Sequence, residues 1–296
     1  MTEPTAPTQV PVCPRHPDRE SYVRCQRCGR PTCPECQRPA AVGVQCVDCV
    51  KEQAKTVRSA QTVFGGRAGN PGWVTKSLIG ISVVVYLGQL VLPGLTNQLA
   101  FGPAIGWSEP WRALSAAFLH SPSTPLHIAF NMLVLWQIGP YLESLLGRVR
   151  FLMLYLVSAV GGSAGVVLLA SAPPEDATSV AVGQAYQGWF TGVVGASGAV
   201  FGLFAALLVL NRHLGRSTAG IGLTIVINGA FGFIFPGIAW QAHLGGFVTG
   251  LACAGAIALV GAPGRRRLAI PAMVGVLVLV VGVTAVKYAT VSPFYR

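Results

Sequence analysis

Residues 195–202 read Gly-Ala-Ser-Gly-Ala-Val-Phe-Gly and open an apolar segment of the chain. Gly195, Gly198 and Gly202 follow one another at helical spacing, so they share one face of a helix. Small residues on such a face let a second membrane helix approach closely. Ser197 lies in the same stretch, and a nucleophilic group inside a membrane usually marks a functional site. The string alone is weak evidence, because an isolated Ser more often bonds a carbonyl one turn back.

The composition indicates the class of protein. Of the 296 residues, 52% are hydrophobic and 10% are charged, and the mean hydropathy is +0.56. Soluble domains carry about 25% charged residues. We therefore predict an all-α integral membrane protein and exclude a soluble enzyme. The first 60 residues hold no apolar run, so we expect no secretory signal peptide and entry into the membrane through the first spanning helix.

Apolar runs long enough to cross a bilayer follow one another from residue 73 onward. A helix needs about 20 apolar residues to span the hydrocarbon core. We predict seven spans, roughly 74–92, 126–143, 149–170, 189–210, 219–236, 238–260 and 268–290. Ser197 would then lie about eight residues, or roughly 12 Å, inside the fourth span. Pro236-Gly237 is the only break between the fifth and sixth spans, and the loop around it is a candidate cap over the site.

The basic residues predict the orientation of the chain. With the N-terminus in the cytoplasm, 18 of the 21 Lys and Arg residues fall on the cytoplasmic side, and the other three are Arg112, Lys287 and Arg296. This asymmetry follows the positive-inside rule, and it explains the net charge of +11 without a nucleic-acid partner. We predict a multi-pass protein of the bacterial plasma membrane, with its N-terminus in the cytoplasm and its C-terminus outside.

Seven of the eight Cys residues lie between residues 13 and 49, which indicates a metal site rather than disulfides. Four ligand pairs, each with two residues between its members, offer eight ligands for two tetrahedral zinc ions. The short loops favour an interleaved arrangement, while a sequential one stays open. The interleaved sets are Cys13, His16, Cys33 and Cys36 for one ion, and Cys25, Cys28, Cys46 and Cys49 for the other.

These spacings define a zinc module at residues 13–50, and they resemble B-box-type zinc fingers. A segment of about 40 residues cannot build an adequate core, so we expect structural zinc to supply the fold. A disordered tail precedes the module at 1–12, and a linker follows it at 51–72. The membrane core is expected at 73–260, and residues 261–296 supply a basic loop and the seventh span.

Histidines supply a candidate base for Ser197. His243 is followed by Gly246 and Gly250, so these three residues share one helix face. If the small residues of the fourth and sixth spans pack together, Ser197 and His243 come within hydrogen-bond reach. Ser as nucleophile and His as general base is an arrangement used for hydrolysis.

A second pair of polar residues lies in the second span. His127 and Asn131 are four residues apart and therefore lie on one helix face. Such a pair often only joins helices, but an acyl-transfer site also needs donors aimed at the developing oxyanion. The His127 ring, the Asn131 amide and the backbone N–H of Ser197 could supply them. His120 could lie near the mouth of the site, but we expect it at the membrane interface.

Together these features resemble the rhomboid intramembrane serine proteases over about residues 73–260. The motifs that carry the resemblance are Trp111-Arg112, His127-x3-Asn131, Gly195-Ala196-Ser197-Gly198 and Ala242-His243-x2-Gly246-x3-Gly250. The resemblance implies a six-helix core with a Ser197–His243 dyad and no Asp. It also implies an oxyanion hole of His127, Asn131 and the Ser197 amide, and no cofactor for catalysis.

The resemblance further implies that transmembrane proteins are the substrates and that the enzyme cuts them near the outer face. Gly195, Gly198, Gly246 and Gly250 would give structural support, and so would Trp111 and Arg112 in a loop that braces the core against the lipid bilayer. The alternative is a non-catalytic membrane adaptor that recruits a cytoplasmic protein partner through the zinc module. A transporter is disfavoured, because the spans show no convincing repeat and almost no buried carboxylates.

Overall fold

The protein is described here by a computed structural model. The described residues are 10–56, 61–176, 185–234, 237–262 and 264–296, with the backbone alone at Phe231 and Phe233. Most of the predicted disordered tail, part of the linker and Phe235-Pro236 of the candidate cap lie outside these residues. The chain forms two compact units, Met1–Ser59 and Ala60–Arg296.

The N-terminal unit consists of two small hairpins and a helix. Strand β1 (Val12–Cys13) pairs antiparallel with β2 (His16–Glu20), and β3 (Gln37–Pro39) pairs antiparallel with β4 (Val44–Cys46). Helix α1 (Val47–Thr56) follows β4. Among the residues of this unit that the structure describes, the buried apolar side chains are those of six Cys residues, which are candidate metal ligands.

The second unit is helical. Its long helices correspond one for one to the predicted spans and are α2 (Trp73–Val91), α6 (Pro125–Leu146), α7 (Arg148–Leu169), α9 (Ser197–His213), α10 (Ala219–Ile234), α11 (Trp240–Leu259) and α12 (Ala269–Ala289). Short helices lie between them: α3 (Leu95–Leu99), α4 (Pro103–Gly106), α5 (Arg112–Ser115) and α8 (Gln187–Phe190).

Length and composition single out four helices of the described part as able to cross a membrane: Trp73–Val91, Arg148–Leu169, Trp240–Leu259 and Arg266–Ala289. The apolar helices Ser197–His213 and Ala219–Ala230 are shorter. Helix α6 has 22 residues and carries the polar side chains of His127, Asn131 and Glu143.

The fourth span begins later than its apolar composition predicts. The predicted segment was 189–210, but α9 begins at Ser197. Gly195 has φ of +133°, a conformation that a helix excludes and that glycine adopts without penalty. The prediction that Ser197 lies eight residues inside a helix is therefore wrong. The residues just before Ser197 are not helical, so Ser197 is the N-terminal residue of α9.

Close contacts between glycines build the centre of the second unit. A methyl group on Gly246 of α11 would overlap the carbonyl oxygen of Gly198 on α9, and one on Gly250 would overlap Gly202. The spacing of these four glycines predicted this approach of α9 and α11. Helix α7 joins the same centre through Gly165, since a methyl group there would overlap the backbone of α11. The three helices thus pack with their backbones in contact.

The segment before α2, which is part of the predicted linker, packs against the helical unit. Phe64 is 2% exposed and packs into the helical core, and its backbone N–H donates to the carbonyl of Leu145. The buried carboxylate of Glu143 accepts hydrogen bonds from the backbone N–H groups of Gly72, Val74 and Thr75. These N–H groups belong to the start of α2 and have no partner inside the helix, so Glu143 fixes where the first span begins.

Candidate active site

Ser197 is the first residue of α9, directly after the turn made by Gly195 and Ala196. The backbone N–H of Gly195 donates to the carbonyl of Ala116 at 2.9 Å, which ties this turn to the segment between the first two spans. A helix N-terminus carries free N–H groups and partial positive charge. The backbone at Ser197 therefore suits the stabilisation of a negatively charged oxygen.

His127 lies beside this turn. Its Nδ1 accepts a hydrogen bond from the backbone N–H of Ser121 at 3.3 Å, so in the neutral ring the proton is on Nε2. A methyl group built on Gly195 would lie 2.7 Å from His127 Nε2 and 3.7 Å from Ser197 Oγ. The Nε2–H donor and the Ser197 hydroxyl thus border the same space, which only a glycine at position 195 leaves open.

Asn131 follows His127 one turn along α6 and is 7% exposed. Its amide donates one hydrogen bond to the carbonyl of His127 at 2.8 Å. An Asn amide carries two N–H groups, so the second remains for a ligand. The pair on one helix face is present as the sequence predicted.

His243 stacks on the ring of Phe201 with a centroid distance of 4.3 Å and an interplanar angle of 10°. Phe201 follows Ser197 by four residues on α9, so the two share one helix face. The prediction of close approach between α9 and α11 therefore holds, but the described residues give no hydrogen bond between Ser197 and His243. Catalytic hydrogen bonds are often long before substrate binds.

One nitrogen of the His243 ring, Nδ1, faces helix α10. His243 Nδ1 is buried and has no hydrogen-bond partner among the described residues. A methyl group on Gly232 would lie 3.2 Å from it. In the described part of the chain no carboxylate contacts this ring. Phe201 packs on one side of it, and Gly232 lies on another. Sequence reasoning missed both residues, and only the four-residue spacing of Phe201 from Ser197 could have indicated the first.

His120 lies inside the protein, beside His127. It is fully buried, its ring centroid lies 5.2 Å from that of His127, and neither ring nitrogen has a partner among the described residues. Gln89 holds the backbone of His120 by hydrogen bonds in both directions, at 2.9 and 3.0 Å. This pairing directs the side chain inward.

The loop after the first span is braced by Arg112. Its guanidinium pairs with Glu109 at 2.6 Å and donates to the carbonyls of Asn97 and Ala100 at 2.5 and 3.2 Å. Trp111 is 59% exposed, so its ring lies on the surface of the protein and does not pack in the core. Arg112 thus supports the segment that carries Ala116, the acceptor for Gly195.

In the N-terminal unit the structure brings together the two interleaved ligand sets rather than sequential pairs. The donor atoms of each set lie within 4.8 Å of one another. His16 Nδ1 lies 3.3 Å from Cys33 Sγ and 3.4 Å from Cys36 Sγ, and in the other cluster Cys28 Sγ lies 3.8 Å from Cys46 Sγ. Thiolates bound to one tetrahedral ion, with metal–sulfur bonds of about 2.3 Å, would be about as far apart.

The pKa values of these thiols are also compatible with binding of a cation. The backbone N–H of Cys33 lowers the pKa of Cys13 to about 6. Burial raises the pKa of Cys25, but backbone N–H groups around the sulfur outweigh it and bring the value to about 6. Burial and neighbouring sulfurs raise the pKa of Cys36 to about 11 and of Cys49 to about 12. Cys36 and Cys49 therefore favour the neutral thiol, and a bound cation would favour their thiolates.

Comparison with known proteins identifies the family of the chain. A family model described as the rhomboid domain matches residues 108–260, which includes His127, Ser197 and His243. Rhomboid protease GluP of Bacillus subtilis (strain 168) is 30% identical over 261 residues, which are 83% of this chain and 46% of GluP. RHOMBOID-like protein 2 of Arabidopsis thaliana is 33% identical over 60% of this chain and 56% of its own length.

A further relative is rhomboid protease GlpG of Yersinia pestis (strain Pestoides F), which is 27% identical over 61% of each chain. The chain spans about half the length of GluP and of the Arabidopsis protein. The matched region covers more than half of the chain and contains the glycine-packed helices, the turn at Gly195 and both histidine-bearing helices. On these grounds the chain belongs to the rhomboid family.

Proposed function

We propose that the protein is an intramembrane serine endopeptidase that hydrolyses peptide bonds in or near transmembrane segments of other proteins. One observation carries the proposal. Three groups lie around the turn at Gly195: the Ser197 hydroxyl, His127 Nε2, and the His243 ring stacked on Phe201. Relatives that are named rhomboid proteases support the same reaction class.

In the proposed reaction Ser197 Oγ attacks the carbonyl carbon of the scissile bond, and His243 accepts the hydroxyl proton. The carbonyl oxygen becomes an oxyanion, which the backbone N–H of Ser197, His127 Nε2–H and the free N–H of Asn131 stabilise. The C–N bond then breaks, and the amine leaves with the proton from His243. Water, deprotonated by His243, hydrolyses the acyl-enzyme and restores Ser197.

The dyad works without a third, acidic member in this proposal. A carboxylate normally holds the catalytic ring in one tautomer and orientation. Here the stacking contact with Phe201 and the close approach of Gly232 restrict the His243 ring instead. An uncharged support suits a site inside a bilayer, where a buried carboxylate is costly.

A substrate helix must unwind before its carbonyl can reach Ser197, because its backbone groups are tied in hydrogen bonds. Gly, Pro and other weak helix formers near the scissile bond would lower that cost. The proposed substrates are therefore transmembrane proteins whose spans begin with a weakly helical stretch.

We also propose that the two Cys/His clusters each hold a structural zinc ion. Each cluster supplies four ligands, so it has no open position for a reactive water, as structural zinc sites require. Glu35 lies 3.9 Å from His16 Nε2 and would orient that ligand from outside the metal.

The proposed location is the bacterial plasma membrane, with the zinc module in the cytoplasm and the C-terminus outside. The charge asymmetry supports it. An alkaline phosphatase fused after Arg296 should be active, and a fluorescent protein fused there should be dark. The opposite pattern would reverse the orientation.

Covalent labelling with a fluorophosphonate probe tests the activity. The wild type should be labelled, and Ser197→Ala and His243→Ala should each abolish labelling. Ser144→Ala, an exposed serine near the far end of α6, is the matched control and should label normally. If the folded wild type is not labelled under conditions that label GlpG, the peptidase proposal fails and a non-catalytic role of the same core takes its place.

A further inference from the structure

A second buried cluster lies at the Ser197 end of the helical unit and includes parts of the chain beyond the matched family region. Its members include Trp189, Tyr288 and Val291, which are 0%, 3% and 5% exposed. Tyr288 and Val291 belong to the seventh helix and the residues after it, whereas the family match ends at residue 260. The seventh helix thus contributes buried side chains next to the candidate site.

Trp189, Tyr288 and Tyr295 form what we call the C-terminal clamp. The indole N–H of Trp189 donates to the carbonyl of Tyr295 at 2.8 Å. The hydroxyl of Tyr288 donates to the carbonyl of Pro103 at 2.8 Å. The rings of Trp189 and Tyr288 meet edge to face with a centroid distance of 6.0 Å. The clamp therefore joins α12, the C-terminal tail, α4 and α8 at one point.

A short path of hydrogen bonds leads from the clamp to Ser197. Three residues after α8, Val193 and Phe101 exchange backbone hydrogen bonds of 2.6 and 3.2 Å. Two residues further on, the N–H of Gly195 donates to the carbonyl of Ala116. Ser197 follows two residues after Gly195. Residues 191–196 lie between α8 and α9 and belong to no helix, so their position depends on these contacts and on the anchor at Trp189.

We infer that Trp189 and Tyr288 are positioning residues for the reaction: through the clamp, the seventh helix and the C-terminal tail hold the turn that sets Ser197 against His127. This inference rests on the proposed peptidase function. Neither residue touches the reacting atoms. A small displacement of a nucleophile or an oxyanion donor lowers the rate strongly even when the fold is kept.

Tyr288→Phe removes one hydrogen bond and keeps the aromatic ring, whereas Trp189→Phe removes one hydrogen bond and replaces the buried indole by the smaller phenyl ring. Tyr141→Phe is the control, since the Tyr141 hydroxyl donates to Asn211 Oδ1 at 2.6 Å and also accepts a hydrogen bond from Arg216. Tyr141 and Asn211 each lie fourteen residues beyond His127 and Ser197 on the same helices, or roughly 21 Å away. The control thus loses two hydrogen bonds of one hydroxyl at the opposite end of the core.

The measurements are the rate of fluorophosphonate labelling, kcat and KM for a cleavable transmembrane reporter, the unfolding temperature, and amide hydrogen exchange of residues 193–197. In both clamp variants labelling and kcat should fall about tenfold with KM little changed, as for a displaced nucleophile, and exchange at 193–197 should become faster. Tyr141→Phe should change labelling by less than about twofold at a similar unfolding temperature.

Labelling of the clamp variants at the wild-type rate would overturn the inference while leaving the peptidase proposal intact. Losses equal to that of Tyr141→Phe would overturn it too, because they would show a general effect on stability. A wild type that is not labelled would defeat the peptidase proposal. In that case hydrogen exchange still decides whether the clamp holds the turn, and unchanged exchange at 193–197 would reject it.

Discussion

The ring of His243 lies flat on the ring of Phe201, with 4.3 Å between centroids and 10° between planes. Phe201 is four residues from Ser197 on α9, so the proposed base packs on the same helix that begins with the proposed nucleophile. The stack is the most direct link between the two halves of the proposed dyad, and it fixes the plane of a ring whose Nδ1 has no partner among the described residues.

The stack predicts unequal effects at two neighbouring phenylalanines. Phe201 and Phe204 are 7% and 2% exposed, so replacement of either by Ala should cost about 3–5 kcal/mol of stability. Phe201→Ala should also slow fluorophosphonate labelling by roughly tenfold or more, because the His243 ring loses its support. Phe201→Tyr should retain labelling. Equal losses of labelling in Phe201→Ala and Phe204→Ala would show that the stack does not orient the base.

The close approach of Gly232 to His243 can be tested by substitution of two glycines of α10. Gly232→Ala places a methyl group 3.2 Å from His243 Nδ1, whereas a methyl group at Gly229, about one turn earlier, meets no atom within 4 Å. Gly232→Ala should therefore lower the labelling rate several-fold by shifting the ring, and Gly229→Ala should not. Both have the same effect on helix propensity. If the two variants label alike, the Gly232 contact does not matter for the base.

The glycine centre predicts a large difference between two positions of α11. A methyl group at Gly246 would overlap the carbonyl oxygen of Gly198, and one at Gly255 meets nothing within 4 Å. Gly246→Ala should destabilise the protein by about 1–3 kcal/mol, the usual cost of overpacking, and separate the nucleophile from the base. Thermal unfolding in detergent should show a lower midpoint for Gly246→Ala only. An unchanged midpoint would mean that α9 and α11 are not in backbone contact.

The two Cys/His clusters predict a metal content of two zinc ions per chain. Cys36→Ser should remove about one of them, because only one cluster uses that ligand, and a site with three strong ligands binds more weakly. Cys253→Ala should leave both, since Cys253 lies buried in the helical core. Elemental analysis of purified protein measures this. Loss of metal from Cys253→Ala, or no loss from Cys36→Ser, would contradict the assignment.

Much of the site could be predicted from the sequence because its signals are local. Helical spacing places His127 with Asn131, and Gly246 and Gly250 with His243, on shared faces whatever the rest of the chain does. The paired spacing of Cys and His likewise needs only short turns. Apolar length located the seven helices to within a few residues, except in the fourth, where residues 191–196 are not helical and α9 begins at Ser197.

What the sequence by itself determined is therefore the set of membrane helices, the nucleophile and base candidates, and the ligand pairs. Only the tertiary structure decided which residues meet: Phe201 with His243, Trp189 with Tyr295, and His120 buried beside His127. Such contacts join residues far apart in the chain, and the apolar or aromatic side chains that make them look like any others in a membrane helix. Their partners depend on how the packed helices are placed against one another in three dimensions, which the spacing of residues within one helix does not specify.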